Sequence, residues 1–228
     1  MKVAALFSGG KDSCYALYKK LQKDIELISL VLVHPRNPYS WMFHETNLNW
    51  SKLQAEAIGK PLTVVKTAGR KEEEIKDLEK CLAKLITDYN INAVISGAIA
   101  SRYQKERIDK LCDKFRIDNI APLWGMDQTD LLKEEIKSGF EIIITSCNAL
   151  GFNKKWLGRL IDLECFEELI SLNEKYGINI AGEGGEYETF VVDGPLFKRK
   201  IRILEIEKVW SDYSGKIIIK DAKLENKD

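Results

Sequence analysis

Residues 1–21, MKVAALFSGGKDSCYALYKKL, decide the fold. Val3–Phe7 is a short apolar run bounded by Ser-Gly-Gly, which predicts a buried strand rather than a helix. Ser8-Gly9-Gly10-Lys11-Asp12-Ser13 makes the turn, and Cys14–Leu21 carries apolar residues at helical spacing with lysines near its end. The order is strand, glycine loop, helix. Backbone N–H groups at a helix N-terminus are unpaired and the helix dipole adds positive charge there, so such a loop suits a phosphate. Gly9 and Gly10 permit close approach, Ser8 and Ser13 offer hydroxyls, Lys11 offers charge, and Asp12 is placed to hold magnesium or to cap the helix.

The ordinary P-loop is excluded, because Ala5 stands where its first glycine belongs and Asp12 follows the lysine. Ser8–Ser13 instead resembles the SGGxDS signature of the PP-loop ATP pyrophosphatases. That resemblance implies ATP as cofactor, with Mg2+, and cleavage between the α and β phosphates to adenylate an oxygen.

The remaining chain agrees with an α/β fold. Ile25–Val33 reads as a second buried strand ending at His34-Pro35. After the loop Arg36–Ser40, Trp41–Ile58 has helical spacing, and His44 is an open choice between a ligand-side residue and a solvated one. Leu62–Thr67 is a third strand. Glu72–Tyr89 is an amphipathic helix with Ile75, Leu78, Leu82, Leu85, Ile86 and Tyr89 on one face. Asn92–Ile99 is a fourth strand ending in Ser96, Gly97, Ala98 and Ile99, small enough at its carboxyl end for a ligand to approach. Ser101 caps the next helix, which turns Ile108, Leu111, Cys112 and Phe115 inward. Alternating strands and helices predict a parallel sheet covered on both faces, with a site at the carboxyl ends of its strands.

The pattern changes near Ala121–Gly125, so we expect two domains: 1–122, a PP-loop, Rossmann-like nucleotide domain, and 123–228, a smaller α/β substrate-binding domain. In the second, Asp127–Lys137 predicts a helix, Phe140–Thr145 a strand, Trp156–Tyr176 a helix ended by Gly177, and Ile201–Ile206 and Lys216–Lys220 strands.

With 35 basic and 35 acidic side chains the net charge is zero, which leaves no global field toward nucleic acid or an anionic membrane. No apolar run nears the roughly 20 residues of a bilayer span, and a cytoplasmic protein is expected. The five cysteines are scattered without a CxxC pair, and two histidines without a Cys or Asp cluster make a zinc site improbable. No stable nucleic-acid complex and no membrane association are expected, and a homo-oligomer is left open.

A second stretch resists a packing explanation. Gly182-Glu183-Gly184-Gly185-Glu186-Tyr187-Glu188-Thr189-Phe190 holds three carboxylates and three glycines, a poor helix and a poor strand, anchored by apolar flanks. A mobile acidic surface loop is the plain alternative. EGGEYETF, together with SGGKDS, Ser96–Ile99 with Tyr103, Gln104 and Arg107, Pro122–Gly125 with Trp124, and Trp156–Arg159, resembles the diphthine–ammonia ligases. These amidate the diphthine carboxylate of translation elongation factor 2 with ATP and ammonium, through an acyl adenylate that releases pyrophosphate and then AMP.

The resemblance implies that Ser8–Ser13 and Ser96–Ile99 bind the nucleotide and that Asp12 holds the metal. It implies catalytic roles for Lys11, Asp12, Glu183, Glu186 and Glu188. Substrate contacts would come from Tyr103, Gln104, Arg107, Trp124, Trp156, Arg159, Gly184, Gly185, Tyr187 and Thr189. Diphthine carries a trimethylammonium group, which is drawn to carboxylates and aromatic faces. Tyr187 with Trp124 or Trp156 is therefore expected to form a cation box, while a glutamate faces that cation or binds the incoming ammonium and takes its proton. Arg159 reads equally as a phosphate ligand or an ion-pair residue. A glutaminase would need a nucleophilic cysteine with a partner histidine and its own domain, so free ammonium is the expected donor. A PP-loop enzyme of tRNA and a non-catalytic nucleotide-binding module are the competing readings.

Overall fold

The structure is a computed structural model; it describes residues 1–21, 23–35, 47–68 and 73–227. The loop Arg36–Ser40 and His44 lie outside the described residues. Strand β1 (Lys2–Leu6) runs through the glycine loop into α1 (Lys11–Lys20), followed by β2 (Glu26–Pro35), α2 (Ser51–Ile58), β3 (Leu62–Thr67), α3 (Glu73–Tyr89), β4 (Ala93–Ile95), α4 (Arg102–Phe115) and β5 (Asp118–Ile120). These five strands form one parallel sheet in the order β3-β2-β1-β4-β5. The chain builds outward from β1 to one side and then, after β4, to the other. The strand order therefore reverses beside β1, and the loops after β1 and β4 open a crevice at their carboxyl ends.

The alternation of β1 explains why it sits at the centre. Val3, Ala5 and Phe7 point into one apolar cluster with α1 and α2, while Ala4 points to the other with Leu78, Leu82 and Leu85 of α3 and Ile108 and Leu111 of α4. Leu78 and Leu82 are completely buried, and such residues are each worth about 1.5–3 kcal/mol of transfer free energy.

The second half places α5 (Gln128–Lys137), β6 (Glu141–Cys147), α6 (Leu163–Tyr176), β7 (Tyr187–Asp193), β8 (Arg199–Ser211) and β9 (Ser214–Asn226) around an antiparallel sheet of order β7-β6-β9-β8. Its core is continuous with the first: Leu131, Leu132, Ile142, Ile144 and Phe166 share a cluster with Val3, Phe7 and Leu17. No helix among the described residues is long and apolar enough to cross a membrane.

Strand β4 covers only part of the expected Asn92–Ile99, β8 and β9 run well past the expected Ile201–Ile206 and Lys216–Lys220, and α2 starts at Ser51 within the expected Trp41–Ile58; three further differences have readable local causes. Helix α6 starts at Leu163 rather than Trp156, because Gly158 is left-handed (φ +77°), Leu160 makes a bridge to Ile143, and Asp162 supplies the cap by accepting from the Cys165 N–H (2.8 Å). The acidic stretch becomes strand from Tyr187 onward, since β6 offers a ladder that the local sequence does not reveal. Strand β5 was not foreseen; with only three residues it has no readable periodicity.

Candidate active site

The carboxyl ends of β1 and β4 and the acidic stretch enclose a cavity of about 280 Å³, to which Val31, Leu32 and Val33 of β2 add an apolar wall. The Ser8–Ser13 loop forms its floor. Gly9 holds φ +81°, and a Cβ there would stand 2.0 Å from Gln54 Oε1, so both conformation and space demand glycine. Gly10 stands at the N-cap of α1 and supplies no side-chain cap, so nothing from the cap residue itself stands between the helix start and a phosphate. Ser13 Oγ donates to the Gly10 carbonyl (3.0 Å) and lies 3.3 Å from Ser8 Oγ. Gly97, after β4, packs on this loop: its Cβ would meet Ser13 N at 3.0 Å and Asp12 backbone at 3.1 Å.

The second half locks the loop from outside. The Val191 N–H donates to the Gly9 carbonyl (3.0 Å), and Thr189 Oγ1 accepts from the Lys11 N–H (3.1 Å). Gln54, fully buried on α2, donates its amide to both the Gly9 and the Val191 carbonyls at 2.8 Å.

Lys11 occupies the position the SGGxDS signature leaves open, and its side chain turns inward, only 1% exposed. Its ammonium pairs with Asp12 and lies 3.4 Å from Glu135 Oε2 of α5, itself completely buried. Burial works against the Lys11 charge, but Asp12 and Glu135 outweigh it and hold its pKa above the ordinary lysine value. Burial likewise drives the Glu135 pKa well above the carboxylate range, with Lys11 opposing. The geometry thus directs Lys11 at two carboxylates, where the sequence reading directed it at phosphate. Asp12 is the carboxylate that reaches the cavity, with a third of its side chain exposed. Among the described residues no cluster of three or more His, Cys, Asp and Glu could hold a metal. A magnesium bound through one carboxylate, waters and substrate phosphates is compatible with that donor set.

The acidic stretch roofs the cavity. Glu183 Oε1 accepts from the Ala100 and Ser101 N–H groups, both at 2.9 Å, pinning the stretch to the start of α4, where Ser101 caps Gln104 N (3.4 Å) as expected. Its Oε2 is buried without a hydrogen-bond partner. Glu186 Oε1 accepts from the Asn179 N–H (3.0 Å) and its Oε2 is likewise unpartnered, but Glu186 does not line the cavity, whereas Glu188 does. Gly185 lines it too; a Cβ on Gly184 would stand 2.7 Å from Glu186 Oε1, so a side chain there would push the Glu186 carboxylate aside.

The aromatic residues are placed otherwise than the cation box supposed. Tyr187 meets the cavity wall, yet it is 3% exposed, and its hydroxyl donates to the Ile180 carbonyl (2.6 Å). Trp156 is buried against Phe152, ring centroids 5.0 Å apart, and Trp124 is partly exposed with Lys105 over its face. Neither tryptophan lines the cavity, so these three rings do not form one box. Arg159 makes a bidentate pair with Glu168 (2.8 and 2.7 Å), covers the Trp156 ring and does not line the cavity. Arg107 stacks on Tyr103 3.5 Å from its centroid; of the predicted α4 residues, Gln104 lines the cavity. All five cysteines are free, and burial pushes the Cys112, Cys147 and Cys165 thiols up to about 12, far from a nucleophilic thiolate.

Gln54 and Glu135 escaped the sequence reading. Each sits in a helix among ordinary polar residues, and the only available signal was its place on the apolar face.

A doubly wound sheet with a glycine loop and a helix start at its switch point defines an α/β protein of the kind that binds nucleotides. The chain matches the family descriptions "Diphthamide synthase N-terminal domain" over residues 1–118 and "Diphthamide synthase C-terminal domain" over residues 127–224, and it belongs to the diphthamide synthase family. Curated relatives include the diphthine–ammonia ligases of Rattus norvegicus, 36% identical over 92% of this chain and 85% of the relative, and Homo sapiens, 35% identical with the same coverage. The Schizosaccharomyces pombe enzyme is 33% identical over all of this chain and 40% of its own length. A solved structure described as a predicted subunit of tRNA methyltransferase from Methanocaldococcus jannaschii aligns with a TM-score of 0.42 at 21% identity, over 86% of this chain and 98% of the other, a likeness too distant to bear on function.

Proposed function

We propose that this protein amidates the diphthine carboxylate of translation elongation factor 2 with ammonium at the expense of ATP. The observation that carries the reading is the meeting, in one cavity, of a glycine loop at a helix start, suited to phosphate, with the Glu183 and Glu188 carboxylates, suited to a small cation. Family membership supports the acceptor.

ATP, as cosubstrate with Mg2+, supplies the adenylyl group that turns a carboxylate oxygen into a leaving group. The acceptor carboxylate bonds to the α phosphorus as pyrophosphate departs; ammonium gives up one proton to become ammonia, which bonds to the carbonyl carbon as AMP departs, and the nitrogen sheds a second proton to leave the neutral amide. The Ser8–Ser13 amides and hydroxyls stabilise charge on the phosphates. Asp12 would hold a magnesium ion, which would offset the negative charge of the phosphates. The Glu183 carboxylate receives the ammonium, with Glu188 at the same wall for its first proton. Lys11 pairs with Asp12 and lies beside Glu135, fixing the Asp12 carboxylate where the chain bends into α1.

The test is product analysis with ATP, magnesium, ammonium and diphthine-bearing factor, each omitted in turn. AMP, pyrophosphate and the carboxylate-to-amide mass change should appear with the complete set alone. AMP formed without dependence on the factor would refute the acceptor, and tRNA would be tried next. Glu183→Gln keeps the oxygen that accepts from Ala100 and Ser101 but loses the anionic one, so it should raise the ammonium KM at least tenfold while ATP affinity stays within about twofold.

A further inference from the structure

The wall between β4 and α4 contains a hydrogen-bond chain whose polarity is fixed from its far end. Asp109 on α4 accepts from Lys105 Nζ through Oδ2 (2.6 Å) and from Asn119 Nδ2 through Oδ1 (2.7 Å). Burial would raise its pKa, but these two donors prevail and hold it below the usual carboxylate value, so it is ionised and can only accept. Asn119, on the short strand β5, must therefore turn its NH₂ group toward Asp109, which leaves its carbonyl oxygen facing Ser96 Oγ at 3.1 Å. An amide oxygen cannot donate. The Ser96 hydroxyl must spend its single hydrogen on Asn119, and only lone pairs remain for the cavity it lines. The sheet holds the chain in place: Asn119 pairs in register with Val94, and the Ser96 N–H donates to the Ile120 carbonyl (2.9 Å).

Phosphate oxygens also offer lone pairs only, so Ser96 is unsuited to them, unlike the Ser8–Ser13 loop across the crevice. We infer that Ser96 is a specificity-determining acceptor for a hydrogen-bond donor of the bound nucleoside triphosphate, an amino group of the base or a ribose hydroxyl, and that Asn119 and Asp109 are positioning residues that set its polarity. This rests on the nucleotide reading of the cavity proposed above and assigns a contact within it. Such a contact discriminates because a ligand acceptor placed there would meet lone pairs and leave a buried group unsatisfied.

The test is calorimetric binding to the full chain, without the acceptor protein, of ATP, purine riboside triphosphate (which lacks the 6-amino group), 2′-deoxy-ATP and 3′-deoxy-ATP. Ser96→Ala should weaken ATP roughly tenfold and leave unchanged the affinity of the one analogue that lacks the donor, which identifies that donor as base or ribose. Asp109→Asn, which frees Asn119 to turn over and is less disruptive to the wall, should shrink the difference between ATP and that same analogue. Equal weakening of ATP and all three analogues by Ser96→Ala, or ATP affinity unchanged by it, would overturn the inference. Failure of the amide-ligase reading would show differently, as this binding pattern intact with no amide formed.

Discussion

Replacing Gln54 probes the seam on which the site depends. Its amide donates to the Gly9 and Val191 carbonyls at 2.8 Å each from a fully buried position. Gln54→Leu keeps the volume and removes both donors. A buried acceptor left unsatisfied costs about 1–3 kcal/mol. The Gly9 carbonyl retains the Val191 N–H, which places it at the low end, and the substitution also eliminates Gln54 Oε1, buried without a partner. The net expectation is about 2 kcal/mol, or about 4–8 °C in Tm for a chain of this size. Gln54→Glu should be worse: a carboxylate would face two carbonyl oxygens with nothing to donate unless protonated, so the loss should exceed that of Leu at neutral pH and shrink as pH falls. Urea unfolding of the three proteins at pH 7.5 and 5, with ATP binding in parallel, measures both. A Leu variant within about 0.5 kcal/mol of the parent, or a Glu variant no worse than Leu at pH 7.5, would refute the reasoning.

Gly97→Ala should cost about 1–3 kcal/mol and weaken ATP binding more than tenfold, because the added methyl meets backbone atoms of Asp12 and Ser13 that cannot yield singly; calorimetry and unfolding check it. Arg159→Ala should leave the KM values for all substrates unaltered. Because Arg159 is what chiefly lowers the Glu168 pKa, the pair stabilises the fold above the ordinary carboxylate pKa and loses that contribution as pH falls through the lowered one. The exposed geometry limits it to about 0.5 kcal/mol, seen as a pH-dependent gap in unfolding midpoints between the parent and Glu168→Gln. Tyr187→Phe should cost about 1–2 kcal/mol by orphaning the Ile180 carbonyl, while selectivity for trimethylated over unmethylated acceptor stays the same. A selectivity change at full stability would return the phenol to the substrate.

The parts of the fold legible in the sequence are those governed by local periodicity. The β1 run, the glycine turn, the α3 stripe and the Gly177 stop of α6 each carry their signal within a few residues. What escaped depends on partners distant in the chain. Thr189 and Val191 reach the Gly9–Lys11 backbone across about 180 residues, and Glu135 differs along the sequence from the neighbouring Glu134, which bonds Tyr15 and Lys19 on the surface, only by its helical spacing from Leu131 and Leu132. Residue type also misled. Tyr187 and Trp156 stand among charged residues in the sequence, yet tertiary packing buries both rings. Lys11 reads as a phosphate partner until the structure shows which way its side chain leaves the backbone.

The seam between the Ser8–Ser13 loop and β7 has a consequence for the order of synthesis. The nucleotide loop leaves the ribosome well ahead of Glu183, Thr189 and Val191. Until they emerge, the Gly9 carbonyl and the Lys11 amide lack these protein partners, and the early sheet presents an apolar face that α5 and β6 later cover. A nascent chain truncated before residue 187 should therefore neither retain ATP nor escape chaperones, and the capacity to bind nucleotide would mark the moment at which β7 has been delivered.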